Sequence, residues 1–177
     1  MQHVASGKAD VITVFYKTDA RAEQFYYSDE PYLRDPIVLL CAQPCQTAFD
    51  GNLASLTQQP VAVVRDFSYG PLLDRLEFSR AAVVDSDPML FKQLIKQRLQ
   101  LGIASLITVR HAPELKQAAD KVQILYPVLD YVDIYFAFSR QSTITPELVG
   151  RFDHVLRRYK KTDAYAVLLK RYQLMDL

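Results

Sequence analysis

An arginine just beyond a strand end can grip a carboxylate, because its planar fork offers two parallel donors to two acceptor oxygens. Arg21 has that placement. The apolar run Asp10–Tyr16 leads into Lys17-Thr18-Asp19-Ala20-Arg21, and the aromatic run Phe25-Tyr26-Tyr27 follows before Ser28-Asp29-Glu30-Pro31-Tyr32. A surface arginine paired with Asp19 or Glu23 is the competing reading. Catalytic constellations are poor: Ser28, Ser68, Ser79, His3, His111 and His154 form no nucleophile motif, and Gly-x-Ser-x-Gly is absent. Asp29-Glu30 and the pair Asp85 and Asp87 read as turn formers and helix caps rather than general acids. Five separated glycines exclude a glycine-rich phosphate loop.

Two cysteines, Cys41 and Cys45, flank Ala-Gln-Pro. Two thiols alone make a poor metal site, and the histidines lie far apart in sequence, so no metal and no cofactor are expected. A disulfide across the turn fits an oxidising compartment and free thiols fit equally well. With 177 residues, half of them apolar, and a formal charge of +1, the chain suits one globular unit or two small lobes. Nucleic-acid binding is not expected, since Lys and Arg are scattered among acids; the densest cluster, Arg157-Arg158 with Lys160-Lys161, suits the C-terminal end of a helix. The longest apolar runs, around Ile37–Cys41 and Ile134–Phe138, are strand-sized, and Met1-Gln2-His3-Val4 lacks the charged start and apolar block of a signal peptide. Read literally, the chain is soluble and stays where it is made.

The elements that must position these residues alternate. Asp10–Tyr16, Phe25–Tyr27 and Pro36–Cys41 read as strands, followed by a polar loop, Gln43–Gly51. Asn52 caps a short turn, Leu53–Leu56, and Val61–Val64 has the uninterrupted apolar character of a central parallel strand. A helix over Pro71–Phe78, a strand over Ala81–Val84, and a helix starting at Asp87-Pro88 with Leu90, Phe91, Leu94 and Ile95 on one face follow. Leu101–Val109 reads as a strand, Pro113–Ala119 as a helix, and Val122–Leu125 and Val132–Phe138 as two extended segments. Thr145-Pro146 starts a helix with the stripe Leu148, Val149, Phe152, Val155, Leu156 and Tyr159, and Asp163–Tyr172 forms a last helix. This alternation predicts an α/β sheet with helices on both faces.

Four stretches carry a family resemblance. Ser6-Gly7-Lys8-Ala9-Asp10-Val11-Ile12 with Lys17–Arg21 resembles a "GkaDai…Tp-x-R" pattern, and Phe25–Tyr32 resembles "f-x-fS-x-PY". Pro60–Tyr69 is similar to "kkVgv-x-x-Gtsy". Tyr135-Phe136-Ala137-Phe138-Ser139, Pro146-Glu147-Leu148-Val149 and Tyr165–Tyr172 resemble the closing "y-x-afsk…pelv-x-x-f…Y-x-x-i-x-x-kY". Together they resemble the family 3 extracellular solute-binding proteins, the amino-acid-binding kind of type II periplasmic binding protein. The resemblance implies two α/β lobes joined by crossing strands as a hinge. Residues 1–37 and 138–177 would form part of lobe 1, and 38–137 lobe 2. The family's opening strand–helix–strand unit has no counterpart, so the first lobe is expected to be incomplete; a homodimer or a domain swap is one remedy for the exposed edge.

The resemblance assigns Arg21 to a ligand carboxylate. It places Thr13, Val14, Phe15 and Tyr16 around the ligand, although the segment is bulkier than in the family and fits a flatter or more apolar ligand part, or simply core. Ser68 and Tyr69 fall where the family presents backbone N–H groups and a hydroxyl. There Asp66-Phe67 replaces a glycine, and Arg65 would have to neutralise Asp66. The acid that holds the ammonium in amino-acid binders is missing from Arg98–Ser105, where Gln100 and Ser105 offer only neutral groups. The implied function is capture of a small carboxylate-bearing metabolite for an ABC permease or for sensing, in the periplasm. Two alternatives stand beside it: a dehydratase-like enzyme with Asp66 as its acid, and a module that binds nothing.

Overall fold

β-branched and aromatic residues collect in the runs that become strands, with capped apolar segments between them. The computed structural model describes residues 1–78 and 80–175. Its elements begin with α1 (Gln2–Ala5), β1 (Val11–Tyr16), α2 (Asp19–Gln24), β2 (Phe25–Tyr27), β3 (Leu33–Ala42), a 3-10 turn over Leu53–Gln58 and β4 (Val61–Val64). They continue with α3 (Pro71–Asp74), β5 (Ala82–Val84), α4 (Asp87–Ile95), β6 (Leu101–Ser105), α5 (Leu106–His111) and α6 (Pro113–Gln117). The last are β7 (Val122–Ser139), α7 (Pro146–Tyr159) and α8 (Asp163–Arg171). Ser79 lies outside the described residues. The chain divides into two units, Met1–Arg34 with Asp133–Leu177 and Asp35–Val132, so β3 and β7 each pass from one unit into the other.

In the first unit the end of β7 is bonded along both edges. β1 runs antiparallel on one side and β2 on the other, and Ala137 pairs with Ile12 of β1 and Tyr27 of β2. β1 carries a bulge: Ile12 pairs with Ala137 and Phe15 with Tyr135, so Thr13 and Val14 together take one place opposite β7. The bulge returns Ile12 and Phe15 to the same face, where they pack with Ala5, Ala9 and Tyr27 on buried Val4, Phe25 and Ala137. Gly7, at φ +75°, turns the chain between α1 and β1, and a Cβ there would lie 2.5 Å from the Gln141 carbonyl oxygen. α7 seats itself through Phe152, whose ring meets those of Phe136 and Phe138 at 4.9 and 5.3 Å.

The expected six-residue stripe of α7 is only partly inward. Val149 and Leu156 are buried, but Leu148, Val155 and Tyr159 are exposed, because the inward row is Val149, Asp153 and Leu156. Asp153 is buried where its carboxylate accepts the backbone N–H groups of Asp29 at 3.0 Å and Glu30 at 3.4 Å. The segment after β2 is thereby tied to the helix, reinforced by Lys160 donating to the Glu30 carboxylate and to the Pro31 carbonyl.

In the second unit β4 lies parallel to both β5 and β6, and β6 pairs antiparallel with β3. Ile37–Ala42 of β3 and Leu90, Phe91 and Leu94 of α4 are buried. Gly102 allows α4 to sit close, since a Cβ there would come within 2.8 Å of Leu90. Cys41 and Cys45 are joined by a disulfide.

Several element boundaries differ from the sequence reading. The expected strand Leu101–Val109 stops at Ser105, whose hydroxyl accepts the Thr108 N–H and starts α5 instead. Val122–Leu125 and Val132–Phe138 are not two segments but one continuous strand. The helix expected over Pro71–Phe78 ends at Asp74, and the cap of α4 is the Ser86 hydroxyl rather than Asp87. The polar stretch before Arg21 closes into α2, capped by Thr18.

Two stability effects follow. Asp153→Ala strands two backbone donors and should lower stability by about 2–3 kcal/mol, with Asp153→Asn recovering part of the loss in chemical denaturation. The disulfide closes a loop of sequence separation 4. Reduction should cost about 2 kcal/mol by chain entropy, and a Cys41→Ala/Cys45→Ala variant should unfold at the same lowered midpoint with or without reductant.

Candidate functional site

In the first unit the β1–α2 corner orients Arg21. The Thr18 side chain accepts the Arg21 backbone N–H at 3.3 Å, fixing the first turn of α2. One guanidinium nitrogen, Nη1, donates to the Tyr16 carbonyl at 3.1 Å, and the guanidinium carbon lies 4.5 Å from the centre of the Phe15 ring. The Tyr27 hydroxyl donates to the same Tyr16 carbonyl at 3.2 Å. Phe15 lies nearly parallel to Tyr27, 6.0 Å between centroids and 6° between planes, and Tyr135 meets Tyr27 edge-on at 6.1 Å. The Lys17 ammonium lies 5.6 Å from the Tyr27 ring centre and 5.9 Å from that of Tyr135.

Arg21 forms no ion pair among the described residues, with Asp19, Glu23 or any other acid. It is held at one nitrogen and along one aromatic face, and the rest of its fork is uncommitted. Burial pushes the Tyr27 phenol up to about 12 against the lowering influence of Arg21, so it stays a neutral donor. Phe15 is half-buried, Tyr16 is buried, and Thr13 is exposed at the bulge, where its carbonyl accepts the Tyr32 hydroxyl.

The second unit holds the other residues the resemblance singled out, each with a partner inside the chain. Arg65 pairs with Asp85 at 3.1 Å, an exposed pair worth little to stability, and not with Asp66. Asp66 is exposed and turns the chain at φ 57°. The buried Ser68 hydroxyl donates to the Asp74 carboxylate, which also accepts the Tyr69 backbone N–H at 2.7 Å. Both groups that a bound anion would use are therefore engaged by Asp74. The Tyr69 hydroxyl accepts the Val64 N–H at 2.8 Å, and burial pushes its pKa well above the usual phenol range, so it stays un-ionised. Ser105 is buried and donates to Asp35. Asp87, at the start of α4, has its carboxyl raised by burial. Among the described residues, no three His, Cys, Asp or Glu side chains cluster closely enough to hold a metal.

Sequence reasoning missed Tyr27 as a neighbour of Arg21, Lys17 and Tyr135 as the groups packed on Tyr27, and Asp74 as the acid beneath Ser68. Alternation along Phe25-Tyr26-Tyr27 placed Tyr27 on the Phe25 face, which was the available signal. Nothing in the spacing of Asp74 pointed back to Ser68.

This architecture is a mixed α/β fold of the type II periplasmic binding protein kind, the fold of amino-acid-binding proteins of ABC transporters. Among solved structures, the chain is similar to an ancestral arginine-binding protein bound to arginine, with a TM-score of 0.77 at 17% identity over 97% of this chain and 74% of that one. It is similar to a histidine kinase sensor domain with similarity to periplasmic binding proteins, with a TM-score of 0.78 at 16% identity over 97% of this chain and 72% of that one. A third is the ancestral amino-acid-binding protein AncCDT-1, a precursor of cyclohexadienyl dehydratase: TM-score 0.75, 15% identity, 97% of this chain and 72% of that one. No protein-family model and no curated protein sequence matches the chain. Among the described residues, no helix is long and apolar enough to cross a membrane.

The raised Asp87 carboxyl fixes a sign. Its ionised form is penalised in the folded state, so the penalty is present at pH 7 and disappears as pH falls through the folded-state value. Asp87→Asn should raise the melting temperature at pH 7, and the difference from wild type should shrink toward zero below about pH 4. Melting curves across that range check it.

Proposed function

We propose that this protein captures a small carboxylate-bearing metabolite without chemically changing it, and that Arg21 receives the carboxylate. The supporting observation is the state of Arg21: oriented by the Tyr16 carbonyl and the Phe15 face, and free of any acidic partner among the described residues. A guanidinium held in this way loses little further freedom when it binds, and a carboxylate is its natural bidentate partner. The half-buried Phe15 and Tyr27 beside it suit a ligand with a flat or apolar part. Thr13 and Tyr16 complete the first-unit part of the proposed site.

Arg65, Ser68 and Tyr69 contribute to the reading only if a ligand displaces Asp85 and Asp74 from them, so the weight falls on Arg21. The absent ammonium-binding acid, with buried Ser105 in that stretch, favours a carboxylic acid lacking an α-ammonium over an ordinary amino acid. The solute-binding fold is compatible with an ABC permease or with sensing as the destination. The Cys41–Cys45 disulfide supports a periplasmic or extracellular setting. A dehydratase-like role would place the acid at Asp66, and its test is turnover of a bound acid that Asp66→Asn abolishes.

Thermal shift against amino acids, keto acids and aromatic acids tests the binding reading. A ligand at 100 times its Kd should stabilise the protein by about 2.7 kcal/mol. Arg21→Ala should weaken binding on the order of 100-fold and erase the shift, while Arg21→Lys, a point charge without the fork, should restore only part of it. An unchanged shift in Arg21→Ala removes the carboxylate role.

A further inference from the structure

We infer that the first unit holds a second small-molecule site, a cavity between β2 and α7 that takes a small planar monocarboxylate on Arg140, with Lys17 as the second cation. Arg21 does not line this cavity, and the inference does not rest on the role given to Arg21. The cavity has a volume of about 350 Å³, within the size range of small-ligand sites. Tyr26 and Tyr27 of β2 form one side, and Pro146, Val149 and Gly150, successive inward positions on the first turns of α7, form another. β2 lies on the opposite side of β7 from β1. Every lining residue falls between Lys17 and Asp153, so no wall is drawn from either end of the chain.

Arg140 is held in the same two-point manner as Arg21. Its Nη2 donates to the Ala22 carbonyl at 3.1 Å, and its guanidinium carbon lies 4.2 Å from the centre of the Tyr26 ring. Lys17 rests on Tyr27 and Tyr135. Neither cation forms an ion pair among the described residues. Both are in place before a ligand arrives, so an anion gains their charge at little cost in side-chain freedom.

Two acids also line the cavity. The Asp153 carboxylate is committed to the backbone N–H groups of Asp29 and Glu30, whereas that of Asp29 has no ion pair among the described residues. Two cations against one uncommitted acid leave a single positive charge, which suits a monoanion and opposes a dianion. The tyrosine rings supply a flat wall for a planar acid.

Gly150 is an independent observation. It stands inside α7, where glycine weakens a helix relative to alanine. Nothing lies within 4 Å of the place its Cβ would take, so packing does not call for a glycine there. Its missing side chain keeps the cavity open beside Val149.

Benzoate is the probe, titrated into the full chain and followed through the amide NMR signals of Arg140 and Gly150. Those signals should move and saturate with a Kd of about 1 mM, and benzamide, the same ring without the charge, should bind about tenfold more weakly or worse. Arg140→Ala should weaken benzoate about tenfold. Gly150→Leu fills the space and keeps every charge, so it should abolish binding while circular dichroism shows an intact fold. Asp29→Asn should tighten benzoate about threefold by removing the opposing charge. Benzamide or the dianion phthalate binding as tightly as benzoate overturns the inference, as does an Asp29→Asn variant that binds benzoate more weakly. So does binding that survives both Arg140→Ala and a folded Gly150→Leu, or signals that stay still up to about 20 mM benzoate.

Discussion

The first unit depends on one strand being bonded along both edges at once. The last residues of β7 hold β1 on one side and β2 on the other, and Ala137 is the shared rung. Only a small, fully buried residue suits that rung, because Phe25, Ile12 and Phe15 close over it from the adjoining strands. Once β1 and β2 are fixed to the same strand, Phe15 and Tyr27 must face each other, and the Tyr16 carbonyl comes within reach of both Tyr27 and Arg21. The orientation of Arg21 is thus a consequence of sheet register.

The bulge in β1 is the second constraint. Without the extra residue, Phe15 would point away from the face that carries Ile12, and the contact among Phe15, Phe25 and Tyr27 would be lost. A bulge costs ladder pairing locally, and here that cost is offset by burying aromatic area on the core face.

Much of the fold was legible because its signals are local. Strands rich in β-branched and aromatic residues, the Asn52 and Thr145 caps, and the proline at the start of α7 lie where sequence reasoning puts them. The failures share a cause: a side chain satisfied by something distant in sequence. Ser105 ends β6 because its hydroxyl is engaged by Asp35 and Thr108, an arrangement no periodicity reveals. Asp153 breaks the apolar stripe of α7 because its partners are the backbone of Asp29 and Glu30, more than a hundred residues away. The surroundings of Arg21 were half legible. The arginine and its strand end were visible in sequence, but the aromatic walls required the pairing of β2 with β7.

The two units treat the same problem differently, and the contrast bears on recognition. In the second unit the turn before α3 presents a hydroxyl and a backbone N–H, the kind of donors that receive an anion. The chain answers them with its own carboxylate, Asp74, and it answers Arg65 with Asp85. In the first unit the Arg21 fork is oriented as carefully but, among the described residues, is given no acid, although Asp19 and Glu23 are close in sequence. A guanidinium stacked on an aromatic ring and left unpaired keeps its electrostatic demand outstanding. A ligand carboxylate meets that demand without displacing an internal bond, whereas at Ser68 it would have to compete with Asp74 first. This asymmetry is the physical argument behind the proposal that Arg21, and not Ser68, receives a carboxylate.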